Sequence, residues 1–305
     1  MASMTIASDR AAARHRGSPM PKLAPYLFLA PFLVLFVCFL VIPLGYAFNL
    51  SLWRQTMVGG LRFIGADNYI KAFGDPKFWD GVLLLFRYGL MQIPVMLGGA
   101  LLLALVLDSG TLWARSVFRL GLFLPYAVPT VIAALIWGYL YGPNFGPLTQ
   151  IAQYLGLPPP NLLGHDLLLP ALANIAIWEH MGYFMIIYYA ALQSIPDEME
   201  EAAVVGGARA WQYVIYIKLP LIRGTILVTA IFAIIGTLQL FVEPYLLRNL
   251  APGVINSNYT PNIYAFNLAF VSLDYSYSAA ISFVLGGVVA VISYLFMLFT
   301  SRKAR

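Results

Sequence analysis

Hydrophobic side chains are laid along this chain in six long blocks rather than in a single periodic stripe. The blocks cover residues 26–47, 82–107, 120–141, 167–192, 222–245 and 278–300. Each stays apolar over roughly the 20 residues that an α-helix needs to cross a hydrocarbon layer about 30 Å thick. A barrel strand would instead alternate over about ten residues, so the blocks predict spanning helices, which satisfy their own backbone groups in lipid. Pro31, Pro43, Pro94, Pro125, Pro129 and Pro170 fall in or near them and are expected to kink several, because proline removes a ladder donor and crowds the preceding turn. The expected fold class is all-α integral membrane, with six transmembrane helices.

Composition sharpens this picture. Apolar residues make up 61% of the 305 and charged residues 10%, against roughly 25% charged in an average soluble protein. The net charge of +5 comes from basic residues scattered at block ends, with no basic, aromatic-interleaved patch on which a nucleic acid would bind. Cys38 is the single cysteine, which leaves no intrachain disulfide and no metal or redox cysteine pair. Residues 1–22 carry Arg10, Arg14, Arg16 and Lys22 among Ala, Ser and Pro. That stretch is expected to be a disordered basic tail, followed by an uncleaved first span that is too long for a signal peptide.

With the N-terminus inside, the cytoplasmic segments hold 12 of the 18 lysines and arginines, Arg115, Arg119, Arg209, Lys218, Arg223 and Arg302 among them. The external segments hold five: Arg54, Arg62, Lys71, Lys77 and Arg248. This bias places both termini in the cytoplasm, with residues 302–305 as a short basic C-terminal tail. Three long loops, 48–81, 142–166 and 246–277, then share the external face, where docking of a soluble partner and a lid role are equally open readings.

The acidic residues concentrate in the loop 194–220, between the fourth and fifth blocks. Ser194 with Asp197 reads as a capping box, and Pro196 suits the first helical position. Asp197, Glu198, Glu200 and Glu201 favour the positive end of the helix dipole. Met199, Ala202, Ala203 and Gly206 recur at helical spacing as a small apolar face. Gly206-Gly207 ends or bends that helix, and a second piece follows, with Trp211, Val214, Ile215 and Lys218 in register, until Pro220 breaks it. The residues alone allow either a docking elbow for another protein or a loop lying on the headgroups.

Glu201-Ala202-Ala203, then Gly207, then Ile217, Leu219 and Pro220 resemble the E-A-A loop of the permease subunits of binding-protein-dependent ABC importers. Gly206 stands where that loop usually has Asp, and Ala208-Arg209 replaces the commoner Ala-Ser. Phe63-Ile64-Gly65-Ala66-Asp67-Asn68-Tyr69, Phe78-Trp79, Leu124-Pro125-Tyr126-Ala127-Val128-Pro129, Trp137, Asn144-Phe145-Gly146 and Leu192-Gln193-Ser194-Ile195-Pro196 are similar to the sugar and glycerol-phosphate branch of that family, nearest its maltose-permease-large-subunit-like member. The resemblance covers residues 23–301. It implies the type I importer permease fold in a bacterial inner membrane, with a second permease as heterodimer partner, two cytoplasmic ATPase subunits and an extracytoplasmic solute-binding protein. It also implies that Glu201, Ala202, Ala203, Gly207, Ile217, Leu219 and Pro220 couple the chain to the ATPase. No G-x-x-x-x-G-K-[ST] run occurs in the sequence, so the chain is expected to have no catalytic residues and no cofactor of its own, with ATP and Mg bound by the partner.

Ionisable and polar groups inside spans are expensive and default to functional candidates. Arg87, Glu179, His180, Gln239 and Glu243 are such groups. Arg87 reads either as a structural partner of Glu179 or Glu243 or as part of a solute path, and His180 has no metal-like company. Carried over by register from the resemblance, Tyr183 and Thr237 match sugar-contacting positions. An aromatic face stacks on the apolar side of a pyranose, and hydroxyls and amides meet its hydroxyls. A non-sugar solute remains the alternative within the family. A secondary transporter predicts inverted repeats, and none stands out between residues 23–160 and 161–301.

Overall fold

The computed structural model describes residues 24–56, 60–110, 113–142 and 146–302. The tail expected over residues 1–22, the motif residues Asn144 and Phe145, and residues 303–305 lie outside the described residues. The chain separates into two compact units, residues 1–49 and 50–305. The first contains α1 (Ala24–Phe36), a π-helical turn (Val37–Val41) and most of α2 (Ile42–Ser51). The π turn ends two residues before Pro43 and is closed by the Ile42 N–H on the Val37 carbonyl. An i→i+5 turn of this kind absorbs a proline that an unbroken i→i+4 ladder would not.

In the second unit the hairpin β1 (Trp53–Thr56) and β2 (Gly60–Phe63) is the one sheet among the described residues. It pairs antiparallel with Trp53 opposite Phe63, their rings 5.4 Å apart edge to face. Then come α3 (Asp67–Phe73), α4 (Pro76–Asp108), α5 (Arg115–Phe123), a 3-10 turn (Leu124–Ala127), α6 (Thr130–Leu140), α7 (Pro147–Tyr154) and α8 (Leu168–Leu192). The 194–220 loop holds α9 (Asp197–Val205), α10 (Ala210–Tyr213), a π turn (Val214–Lys218) and α11 (Leu219–Leu221). It leads into α12 (Arg223–Leu238), α13 (Val242–Leu247), α14 (Pro261–Phe270) and α15 (Tyr275–Arg302).

Five stretches are long and apolar enough to cross a membrane: Tyr26–Ser51, Pro76–Asp108, Leu168–Leu192, Arg223–Leu247 and Tyr275–Thr300. Arg115–Ala127 and Thr130–Leu140 make a sixth span bent by 95°. The bend falls at Val128-Pro129, where proline withdraws a donor and drives its neighbour out of the α region. Pro94, by contrast, lies inside an uninterrupted α4. The second block starts six residues earlier than its hydrophobicity indicates, because Asp75 caps α4 by accepting the Lys77 N–H at 3.0 Å and Pro76 takes the first turn.

Packing centres on α4, which lies most extensively against α8 and also meets α12. Small residues, among them Ala100 and Ala104, are fully buried along it and permit close helix approach where lipid supplies little hydrophobic drive. Where α8 crosses the chain at Leu122, approach is closest: a β-carbon on Gly182 would lie 1.8 Å from the Leu122 carbonyl oxygen.

At the start of α4 the Asp75 carboxylate holds three elements together, and a fourth packs beside them. Tyr264 of α14 and Tyr277 of α15 each donate a hydroxyl to its Oδ2 at 2.7 Å. Lys71 of α3 lies 3.6 Å over the Tyr277 ring. Burial opposes the charge on Asp75, but the two tyrosine hydroxyls, the Lys77 N–H and the Lys77 charge outweigh it and hold the carboxyl below its ordinary value. A depressed native pKa contributes stability that is complete above the unfolded value of 3.8 and is lost as pH falls through the native value. Melting curves of detergent-solubilised protein are therefore expected to be flat from about pH 7 to 5 and to fall below about pH 4. Asp75→Asn should lower the plateau and weaken the acid drop. An Asp75→Asn profile that overlays the native one would refute this role.

Candidate functional site

Two places concentrate polar groups, one in the loop 194–220 and one inside the bundle. In the loop, α9 starts at Asp197 with Pro196 as its N-cap, one residue later than the proline rule suggests. The expected Ser194–Asp197 capping box does not form. Ser194 instead donates its hydroxyl back to the Ala191 carbonyl at 2.7 Å, in the turn that follows α8. Asp197, Glu198 and Glu200 occupy the first turn of α9, where the helix dipole favours them.

The helix ends on a glycine elbow. The Gly207 N–H bonds the Val204 carbonyl at 2.9 Å and the Ala208 N–H reaches back to the Ala203 carbonyl at 3.0 Å. That pair of bonds is the Schellman closure, and it requires a left-handed residue at its centre. Gly207 supplies it with φ of 76°.

No residue of α9 is buried. Glu201 and Ala202 are exposed and Ala203 half-buried, and Val204 and Val205 turn 66% and 90% of their surface outward.

Beyond the elbow, the Gln212 side chain accepts the Arg209 N–H at 2.7 Å and opens α10. Of the four residues expected in one register, Trp211 and Ile215 are exposed, Val214 is half-buried and the Lys218 side chain is largely covered, and a π turn runs over Val214–Lys218. Tyr213, outside that register, is the buried residue of α10. Pro220 does not break the chain either. It sits in α11 behind the π turn, and the interruption comes two residues later, at Ile222. Ile217 and Leu219 are half-buried and Pro220 is exposed.

Asp108, to which no sequence motif points, ties this loop down. It accepts from Lys218 Nζ at 2.5 Å and from Gln193 Nε2 at 2.7 Å, and Glu200 lies 3.8 Å from the same ammonium. Burial opposes the charge on Lys218, but the Asp108 hydrogen bond and charge, followed by Glu200, hold its pKa above the ordinary value.

Inside the bundle a cavity of about 240 Å³ opens where the fifth span breaks. Helix α12 stops at Leu238 and α13 begins at Val242, leaving Gln239, Leu240 and Phe241 outside both helices. Non-helical backbone at such a depth is tolerated where it lines a cavity rather than lipid. Thr237, Gln239 and Glu243 line this one, together with Tyr88, Gln92, Thr130, His180 and Phe184. Thr237 donates to Gln92 Oε1 at 3.0 Å and Gln92 Nε2 meets the Met96 sulfur at 3.4 Å. Glu179 accepts from Thr130 at 2.6 Å through one oxygen, while its other buried oxygen has no hydrogen-bond partner in the structure.

The remaining candidates stand apart. Tyr183 stacks on Tyr126, centroids 4.5 Å apart, and Tyr126 meets His180 edge to face. Tyr183 thus stands behind the cavity wall, in ring contact with Tyr126 and, at 5.3 Å, with Phe184.

Arg87 pairs with neither Glu179 nor Glu243; it is exposed and makes no salt bridge among the described residues. Helical spacing explains this. Tyr88, Gln92 and Met96 at i, i+4 and i+8 face inward, and Arg87 stands about 100° off that line. Gln92 and Thr130 were missed because single uncharged polar residues in an apolar block give no signal of which way they point. Among the described residues no three of His, Cys, Asp and Glu gather as a metal site.

Residues 70–303 match the sequence family described as the inner membrane component of binding-protein-dependent transport systems. The chain is 33% identical to the lactose transport system permease protein LacF of Rhizobium radiobacter over 276 residues, 88% of this chain and 91% of that one. It is 32% identical to the arabinooligosaccharides transport system permease protein AraP of Bacillus subtilis (strain 168), over 90% of this chain and 87% of that one. Its fold superposes with a TM-score of 0.81, at 23% identity, on a chain of a bacterial ABC transporter involved in the import of the acidic polysaccharide alginate, covering 92% of this chain and 96% of that one.

Proposed function

The chain belongs to the family of inner membrane components of binding-protein-dependent transport systems, and from that premise we propose that it is a permease subunit of an ATP-driven carbohydrate importer. It pairs with a second permease, two cytoplasmic ATPase subunits and an extracytoplasmic binding protein that delivers the sugar. The observation that carries this reading is the α9–Gly207–α10 elbow. It is a rigidly closed turn that carries Glu201, Ala202 and Ala203 and buries no residue of α9 against its own chain. In this reading Ala202 and Ala203 let the ATPase surface approach the backbone, Glu201 makes the polar contact, and Gly207 holds the angle. Ile217, Leu219 and Pro220 join the elbow to α12. Closure of the ATPase pair on ATP moves α9 as a lever, and the bundle changes between its two facing states, a shared two-state element that both sites bias.

The sugar passes the cavity at the break of the fifth span. Thr237, Gln239, Gln92 and Thr130 offer donors and acceptors to hydroxyls, Glu243 offers acceptors, Glu179 stands behind Thr130 and orients its hydroxyl, and the stacked Tyr126–Tyr183 pair offers an apolar face beside them. The names of the two curated relatives, both sugar permeases, support a carbohydrate as solute. Arg87 is no longer needed as their counter-ion.

The test is uptake of a labelled neutral oligosaccharide into proteoliposomes holding this chain with its partner permease, ATPase and binding protein. Uptake should require ATP and the binding protein, and Thr237→Val should lower it about tenfold, the effect of about 1.4 kcal/mol. Uptake by this chain alone, or without ATP, would refute the reading.

A further inference from the structure

This inference rests on the coupling role proposed above for the elbow. Asp108 and Lys218 are 110 residues apart in sequence, yet their side chains are only 6% and 12% exposed and in direct contact. Asp108 is the last residue of the 33-residue α4. Its Oδ1 accepts from Gln193, which caps the end of α8, and its Oδ2 accepts from Lys218, which closes the π turn leading into α12. The same ammonium lies 4.9 Å from the Tyr213 ring and 3.8 Å from Glu200 on α9. One shielded carboxylate therefore gathers the ends of α4 and α8, the approach to α12, and both helices of the elbow.

Helix α9 itself buries nothing, and in α10 Tyr213 is the one buried residue. The elbow's hold on the bundle thus runs through Tyr213 and this ion pair.

We propose that Asp108 and Lys218 form the joint that passes displacement of the elbow into α4, acting as positioning residues for transport rather than as contacts to solute or ATPase. An ion pair with little exposed surface, fixed at both carboxylate oxygens, resists shear as a single hydrogen bond does not. Without it, force on α9 is taken up by local rotation about Gly207 and the Ser194 turn, and α4 stays where it is. The path from motor to cavity is short along this route, because α4 carries Tyr88, Gln92 and Met96 on the cavity wall.

The experiment uses the full complex in proteoliposomes and reads three quantities: sugar taken up per ATP hydrolysed, basal ATP hydrolysis, and ATPase subunit retained on tagged permease. Lys218→Met should leave the last two unchanged and lower the first at least fivefold. Lys218→Arg keeps a cation for the Asp108 carboxylate, Glu200 and the Tyr213 ring. It should retain at least half of the native ratio. The joint is overturned if Lys218→Met transports as much sugar per ATP as the native complex, or if Lys218→Arg loses as much as Lys218→Met. It is also overturned if the retained ATPase falls in step with uptake, which would make the pair a folding or docking element. Absence of ATPase on the native permease would instead refute the coupling role of the elbow.

Discussion

Gly207→Val is expected to cut sugar uptake at least about tenfold while the chain still inserts in the membrane, and Gly207→Asn is expected to keep most of it. The elbow needs φ of 76° at this position. An L-residue there costs about 1–2 kcal/mol, more when β-branched and less for asparagine, whose short side chain tolerates the left-handed region. A β-carbon added to Gly207 would meet no atom within 4 Å, so the penalty is one of backbone conformation and not of space. That makes the pair of variants diagnostic: both add a side chain, and only one forbids the angle. Uptake in proteoliposomes at matched protein amounts checks it. Equal uptake by the two variants would show that the angle is not what matters.

Gly182→Ala should act through the opposite cause and on a different quantity. Here a β-carbon meets the Leu122 carbonyl oxygen at 1.8 Å, and the obstacle is backbone that has no rotamer to escape into. Inserting one carbon into a packed core costs typically about 1–3 kcal/mol, and a carbonyl in the way puts this case at the upper end or beyond. A loss of about 3 kcal/mol corresponds to a fall of about 10 °C in melting temperature for a domain of this size. Thermal unfolding in detergent should show it, with reduced yield of monodisperse protein. A variant melting within about 2 °C of the native chain would mean that α8 and the Leu122 segment are free to separate.

Much of this architecture is legible in the sequence because lipid imposes a single rule. Apolar blocks of spanning length mark all six crossings, five of them as long apolar stretches and the third as a pair of helices bent at Pro129, among the prolines expected to kink. The block ends were less legible. Hydrophobicity marks where lipid stops, whereas α4 is begun by the Asp75 cap and Pro76, six residues ahead of the apolar block. Helices α7 and α14 also went unseen, for they lie in loops whose sequence carries turn residues and aromatics rather than a long apolar run.

In the site, the elbow at Gly206-Gly207 followed from local chemistry that depends only on neighbours in sequence. The Asp108–Lys218 contact did not, since nothing local tells an acid at the end of one span that a lysine 110 residues on will meet it. The π turn at Val214–Lys218 was equally hidden, since it adds one residue to a single turn and a 3.6-residue periodicity gives no sign of it. Arg87 illustrates the limit of reading charge without direction. Glu179, Glu243 and Arg87 within spans invite pairing, but a rotation of about 100° between adjacent helical residues separates Arg87 from the inward line.

The central claim is that α9 is the surface the ATPase grips. A photoreactive p-benzoylphenylalanine at Ala203, illuminated in membranes that contain the whole transporter, measures this directly. The account predicts an adduct with the ATPase subunit that survives in the resting complex and is lost when the ATPase is omitted. Adducts confined to lipid, with the ATPase present and hydrolysing ATP, would contradict it.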